Sequence, residues 1–167
     1  GGGRSQIEDG ETVLETIETD GGKGAGYWRK QLEAGTHELS VRTLDADPVR
    51  VFGWVLEKSS GVTWETLGVN GAQADLLLLQ QAELLKSHIA RRAPALVVLA
   101  YGTNEARRKD WTAESYRETL RRVIGLVREA APAASILIVG APDQLVRTRR
   151  LLAQNTGLDR ILAAQRE

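Results

Sequence analysis

The stretch Ala95-Leu96-Val97-Val98-Leu99-Ala100, running straight into Tyr101-Gly102-Thr103-Asn104-Glu105-Ala106, decides the fold. Between Pro94 and Gly102 the first part is apolar without alternation. A strand with one wet face alternates, so an unbroken run predicts a central parallel strand covered on both faces. The second part is polar and follows the carboxyl end of that strand, where open α/β sheets carry their functional loops.

Working outward, the same pattern repeats on either side. Val62–Leu67 reads as a strand, and Asp75–Arg92 as a helix with Leu78, Ala82, Leu85 and Ile89 on one face. Beyond the central run, Thr112 is an N-cap with Glu114 in the first turn, and Tyr116, Leu120, Val123, Ile124 and Val127 recur at helical spacing. A third apolar run, Ser135-Ile136-Leu137-Ile138-Val139, ends at Gly140-Ala141-Pro142-Asp143, where a further helix is expected with Pro142 or Asp143 in its first turn. Alternating strands and helices imply right-handed crossovers on a parallel sheet. The expectation for 61–167 is a three-layer α/β/α unit of flavodoxin-like type.

Residues 1–60 read differently. Between Glu11 and Leu56, Val13, Glu15, Ile17 and Thr19 alternate with Thr12, Leu14, Thr16 and Glu18, and Leu39, Val41 and Thr43 repeat the two-residue period. Gly21–Gly26, Ala34-Gly35 and Asp45-Ala46-Asp47-Pro48 separate the runs, and the last strand is expected at Val49–Leu56. This predicts a small antiparallel β module, a piece of a sandwich or jelly roll. Charge divides the same way: residues 1–70 hold 12 acidic and 7 basic side chains, residues 71–167 hold 10 and 15.

Several function classes are disfavoured. Lysine plus arginine and aspartate plus glutamate both total 22, so net charge favours no polyanionic partner. Arg107, Arg108, Lys109, Arg117, Arg121, Arg122 and Arg128 sit beside Glu114, Glu118 and Glu129 without interleaved aromatics, which reads as a solvated face rather than a nucleic-acid surface. There is no cysteine, and His37, placed in a strand, and His88, late in a helix, are too isolated to ligate metal. No cofactor is implied. Gly21–Gly26 lies among strands and Lys23 precedes glycine, so it is a surface turn rather than a phosphate loop. No apolar stretch reaches the roughly 18–20 residues of a membrane span, and Gly1-Gly2-Gly3-Arg4 does not open a signal peptide. The chain has no methionine, which fits a missing amino terminus or removal of the initiator.

Two loops carry chemistry. In Gly68-Val69-Asn70-Gly71-Ala72, a glycine before a helix lets a backbone N–H point at a ligand. In Tyr101–Ala106, the Asn104 carboxamide supplies a second, neutral donor. Together they suit an oxygen on which negative charge develops.

Leu67–Ala72 resembles the second sequence block of the SGNH (GDSL-type) serine hydrolases, and Tyr101–Ala106 their third, with Gly71 and Asn104 at the oxyanion-hole positions. Glu105 stands where the family more often has aspartate. Its expected part is to orient the Asn104 loop or to pair with Arg107 or Arg108, the structural part being preferred. Tyr101 either lines the pocket or packs beneath the loop. Thr36–Ala72 is similar to members with a carbohydrate-binding-like β module inserted between the first and second blocks, the plan of peptidoglycan O-acetylesterases. Trp28, Trp54, Trp64 and Trp111 then stack on sugar or fill cores.

The family's remaining machinery has no match. Ser5, Ser40, Ser59, Ser60, Ser87, Ser115 and Ser135 do not follow Gly-Asp, and no histidine follows His88. The resemblance therefore implies an esterase fragment truncated at both ends, inactive alone and poorly soluble if strand edges are left open. In the parent it implies hydrolysis of acyl esters, acetyl above all, on a small-molecule or glycan substrate, in the periplasm or outside the cell. The alternative is a non-catalytic glycan-binding module with a degenerate hydrolase domain. No motif encodes the acyl group, the glycan or the oligomeric state.

Overall fold

A computed structural model describes every residue except Gly1, Lys23, Arg149 and Arg150, and the side chain of Thr148. The chain divides into two compact units, Gly1–Trp64 and Glu65–Glu167.

The first unit holds a three-stranded antiparallel sheet with β1 (Arg4–Asp9) between β2 (Thr12–Glu18) and β3 (Leu39–Thr43). Gly10, at φ +56°, makes the turn from β1 to β2, and its N–H donates to Glu38 O at 2.9 Å. A register shift between Ile7 and Glu8 marks a bulge in the first pairing. Ser5 and Ile7 point inward, and Ile7 is the sole large apolar side chain buried in this unit among the described residues. Hydrogen bonding therefore carries much of its order. Glu8, also buried, accepts from Arg42 Nη2 at 3.1 Å and Ser40 Oγ at 3.3 Å.

Two expectations fail in this unit. Val49–Leu56 forms no strand, and Val51 through Leu56 are exposed. Alternation supplies a strand's face but not its partner, and no ladder among the described residues takes this segment, so its backbone stays hydrated. His37 lies in the loop before β3 rather than in a strand. The predicted turn at Gly21–Gly26 is exposed at its described positions apart from half-buried Ala25, and Lys23 lies outside the described residues.

The second unit is an α/β fold on a parallel strand pair. Strands β4 (Leu96–Leu99) and β5 (Ser135–Ile138) run parallel in the register Leu96↔Ser135 to Leu99↔Ile138. Helix α4 (Ala113–Ala130) connects them. Its start is the expected one: Thr112 Oγ1 accepts from Ser115 N at 3.0 Å, and Ser115 Oγ accepts from Thr112 N at 2.9 Å. Tyr116, Leu120, Val123 and Val127 are buried along one stripe. The stripe packs beside α1 (Leu76–Leu79), α2 (Ala82–Arg92) and α5 (Gly157–Arg166). Tyr116, Leu120 and Val123 of the stripe form the core with Leu99, Ala74, Ala106, Trp111, Leu158 and Ile161, among others.

The central run is covered on one face, not two. Val97, Leu99, Ile136 and Ile138 meet the core, while Leu96 is 44% and Leu137 48% exposed. Val62–Leu67, expected as a neighbouring strand, is irregular and exposed, again for want of a paired ladder. The expected helix over Asp75–Arg92 is broken by extended backbone at Gln80 and Gln81, so α2 starts afresh. Leu85 is its buried residue, while Ala82 faces solvent.

No helix begins at Pro142 or Asp143. An antiparallel pair, β6 (Leu145–Thr148) and β7 (Leu151–Gln154), stands there, and α5 begins only at Gly157. Gln144 and Asn155 close the open end of this hairpin, through Asn155 N to Gln144 O at 2.8 Å and Asn155 Nδ2 to Gln144 Oε1 at 2.6 Å. Proline at a first-turn position is permissive only. The Gln144–Asn155 clamp instead stabilises the paired form.

Candidate active site

The loop after β4 begins at Gly102, whose φ is +121°. Residues with a Cβ rarely adopt this backbone, and here a Cβ would also lie 2.8 Å from Ile161 Cγ2 and 3.2 Å from Ala141 Cβ. Glycine is thus required twice over. The chain then enters the short helix α3 (Thr103–Ala106), which carries Asn104 and Glu105 in its single turn.

Asn104 reaches the other loop. Its Nδ2 donates to Ala72 O at 2.7 Å. A carboxamide has two N–H donors, so one is committed to the loop and the second is left for another acceptor. Gly71, the residue before Ala72, takes φ +79°, with open space where a Cβ would stand. Ala72 N closes a turn on Val69 O at 3.0 Å, whereas the Gly71 N–H makes no hydrogen bond among the described residues. The two predicted site residues thus lie on loops that touch, the contact running from Asn104 to Ala72 rather than to Gly71 itself. An open depression lined by Val69, Gly71, Gln73, Asp75, Leu76 and Leu79, among others, runs beside Gly71 and does not include Asn104.

Glu105 lies beneath both loops with none of its surface exposed. Its Oε1 accepts from Ala74 N at 2.8 Å and its Oε2 from Gly102 N at 2.9 Å. It makes no ion pair with Arg107 or Arg108; Arg108 bonds Asp110 instead. The orienting part expected of Glu105 is the one its contacts describe. The bond to Gly102 is the returning half of a capping box, legible as Gly-x-x-Glu. The bond to Ala74 has no signal in the sequence.

Further ties were not legible either. Gln165 Nε2, on α5, donates to Tyr101 O at 2.9 Å and to Tyr116 Oη at 2.9 Å, fixing the root of the Asn104 loop. Tyr101 is half-buried and packs against the core, which agrees with packing beneath the loop. Burial pushes its phenol up, with the Glu105 charge adding to the shift. Tyr116 is pushed up to about 12, burial again the main cause, opposed by the Gln165 hydrogen bond and reinforced by Glu105. Neither is a proton donor poised near neutrality. Trp111 is buried edge-on against Tyr116, with ring centroids 6.0 Å apart, whereas Trp54 and Trp64 are exposed.

Among the described residues no group of three or more His, Asp or Glu side chains is placed to hold a metal. No helix is long and apolar enough to cross a membrane. His37 bonds Asp9 and the Glu33 carbonyl, both in the first unit.

The model of the GDSL-like lipase/acylhydrolase family matches residues 25–167. A solved structure of a peptidoglycan O-acetylesterase is similar to this chain, with a TM-score of 0.54 and 31% identity over 60% of the chain. The chain spans 29% of that protein's length. No curated protein matches.

Proposed function

The chain belongs to the GDSL-like lipase/acylhydrolase family, and from that premise we propose that it supplies the oxyanion-binding part of an esterase that hydrolyses acyl esters, acetyl esters in particular. The observation that carries this reading is the Asn104–Ala72 hydrogen bond, which brings a carboxamide with a spare N–H to the loop of Gly71, whose own N–H is unbonded among the described residues.

The mechanism follows from what those donors suit. A serine Oγ attacks the ester carbonyl carbon, and a histidine takes the serine proton. The carbonyl π pair moves to oxygen, and the resulting oxyanion accepts from the Gly71 N–H and the Asn104 carboxamide. Collapse breaks the ester C–O bond, and the alcohol leaves with the proton from histidine. Water then repeats the sequence on the acyl-serine. No serine of this chain follows Gly-Asp and no histidine follows His88, so the proposal assigns both groups to the parent protein outside these residues.

The finer architecture belongs to the same proposal. Residues 61–167 form part of a three-layer α/β/α core, whose second layer covers the exposed face at Leu96 and Leu137. Residues 1–60 form part of a separate β module. An O-acetylated glycan is the proposed substrate, supported by the likeness to a peptidoglycan O-acetylesterase. The test is acetate release from O-acetylated peptidoglycan and from 4-nitrophenyl acetate by the intact parent. Release from both is expected. Binding of the glycan without any release would favour a non-catalytic binding module instead.

A further inference from the structure

Glu105 is a carboxylate with no exposed surface, held by two backbone donors from different loops. Burying a charge carries a heavy desolvation cost, and a helix of four residues has little need of so expensive a cap. Capping accounts for one oxygen, on Gly102. The other oxygen reaches Ala74, 31 residues earlier in the chain, and that bond does nothing for α3.

What it does is set a distance. Ala74 lies three residues beyond Gly71, and Gly102 lies two residues before Asn104. A planar group with two acceptors fixes both backbones against one rigid ruler, while the Asn104–Ala72 bond fixes them again from above. A loop that carries a reacting-site donor must hold it within a fraction of an ångström. We propose that Glu105 is the positioning residue of this site, holding the Gly71 and Asn104 donors at the mutual spacing a tetrahedral oxyanion requires. The proposal rests on the esterase reading above.

Its chemistry separates it from a generic packing role. Glutamine keeps the shape but has one acceptor oxygen, so its NH2 must face one of the two N–H donors. Aspartate keeps the charge but, shorter by a methylene, reaches less far toward the two donors. Each variant keeps one loop and releases the other.

The experiment uses the intact esterase, measuring steady-state hydrolysis of 4-nitrophenyl acetate together with Tm. Glu105→Gln is expected to lower kcat by about tenfold to a hundredfold, less than outright loss of a donor, with KM within about twofold. Val123→Ala, a core truncation on α4 rather than in either loop, is the control: at a comparable loss of Tm it is expected to keep kcat. Glu105→Asp carries the same test should the glutamine variant not fold. Unchanged kcat in Glu105→Gln, or an equal loss of kcat in Val123→Ala, overturns the positioning role. If neither Glu105 variant folds, the residue serves the fold and the proposal is likewise overturned. Asn104→Ala distinguishes the two claims: if it lowers kcat while Glu105→Gln does not, only the positioning role is lost, and if it leaves kcat unchanged the oxyanion reading is lost and this proposal with it.

Discussion

Asn104 donates its side-chain N–H to the carbonyl of Ala72 at 2.7 Å, joining loops whose residues stand 32 positions apart. With Glu105 holding Ala74 and Gly102 from below, the turn at Gly71 and the first turn of α3 form one laced unit. Removing a glycine from that unit has two different costs, depending on where it stands.

At Gly71 the cost is conformational alone. Its φ of +79° strains any residue with a Cβ, but the space is open, so Gly71→Ala is expected to cost about 1–2 kcal/mol. At Gly102 the same strain is joined by a Cβ at 2.8 Å from Ile161 Cγ2, so Gly102→Ala is expected to cost about 1–3 kcal/mol more. Urea unfolding of the two variants checks the order. Equal stability would mean that Gly102 is not packed against α5.

Gly157 tests the seating of α5 on α3. A Cβ there would fall 2.0 Å from the Ala106 carbonyl oxygen, and backbone cannot swing aside as a flexible side chain can. Gly157→Ala is therefore expected to lower stability by about 1–3 kcal/mol or more, read as a fall in Tm. A variant as stable as the wild type would contradict this packing.

In the first unit, His37 Nδ1 lies 2.6 Å from Asp9 Oδ2 and Nε2 lies 2.8 Å from Glu33 O, so both ring nitrogens face acceptors. The Asp9 hydrogen bond, with Glu33 O second, raises the imidazole above its usual 6.5, and the His37 hydrogen bond holds Asp9 below 3.8. A raised histidine stabilises fully below 6.5 and loses that contribution as pH climbs through its folded value. A lowered aspartate stabilises above 3.8 and loses its contribution as pH drops through its own folded value. The pair is thus worth most between those limits, and NMR titration of His37 Hε1 should give a midpoint above 6.5. A midpoint at or below 6.5 would show that the clamp is not formed.

The chain by itself is expected to hydrolyse 4-nitrophenyl acetate no faster than a heat-denatured control. Its serines do not follow Gly-Asp, and both histidines precede residue 89. Turnover well above that control, abolished by changing a residue of this chain, would mean that nucleophile and base are supplied here after all.

The sequence disclosed most where one residue decides its own local structure. Thr112 capped α4 as expected, and the stripe from Tyr116 to Val127 fell inward because helical spacing needs no distant partner. Leu96–Leu99 was legible as a strand, and β5 as its parallel neighbour. Strands that depend on a partner were not: alternation at Val49–Leu56 and Val62–Leu67 says which face is apolar but cannot say whether a ladder is present. Arg4–Asp9, by contrast, pairs on both sides as β1 with little apolar patterning to announce it. The pairing of β6 with β7 was hidden by Pro142-Asp143, a helix-start signal overridden by the Gln144–Asn155 clamp. At the site, Gly71 and Asn104 stood out by residue type at loop positions. The bonds that lace them, from Asn104 to Ala72 and from Ala74 to Glu105, span more than 30 residues and leave no local trace.

The most direct test of the oxyanion assignment is Asn104→Ala in the intact parent protein, with kcat for 4-nitrophenyl acetate and Tm measured on the same preparation. Loss of one such donor should lower kcat by about a hundred- to a thousandfold while the protein stays folded. Wild-type kcat in a folded Asn104→Ala protein would contradict the account.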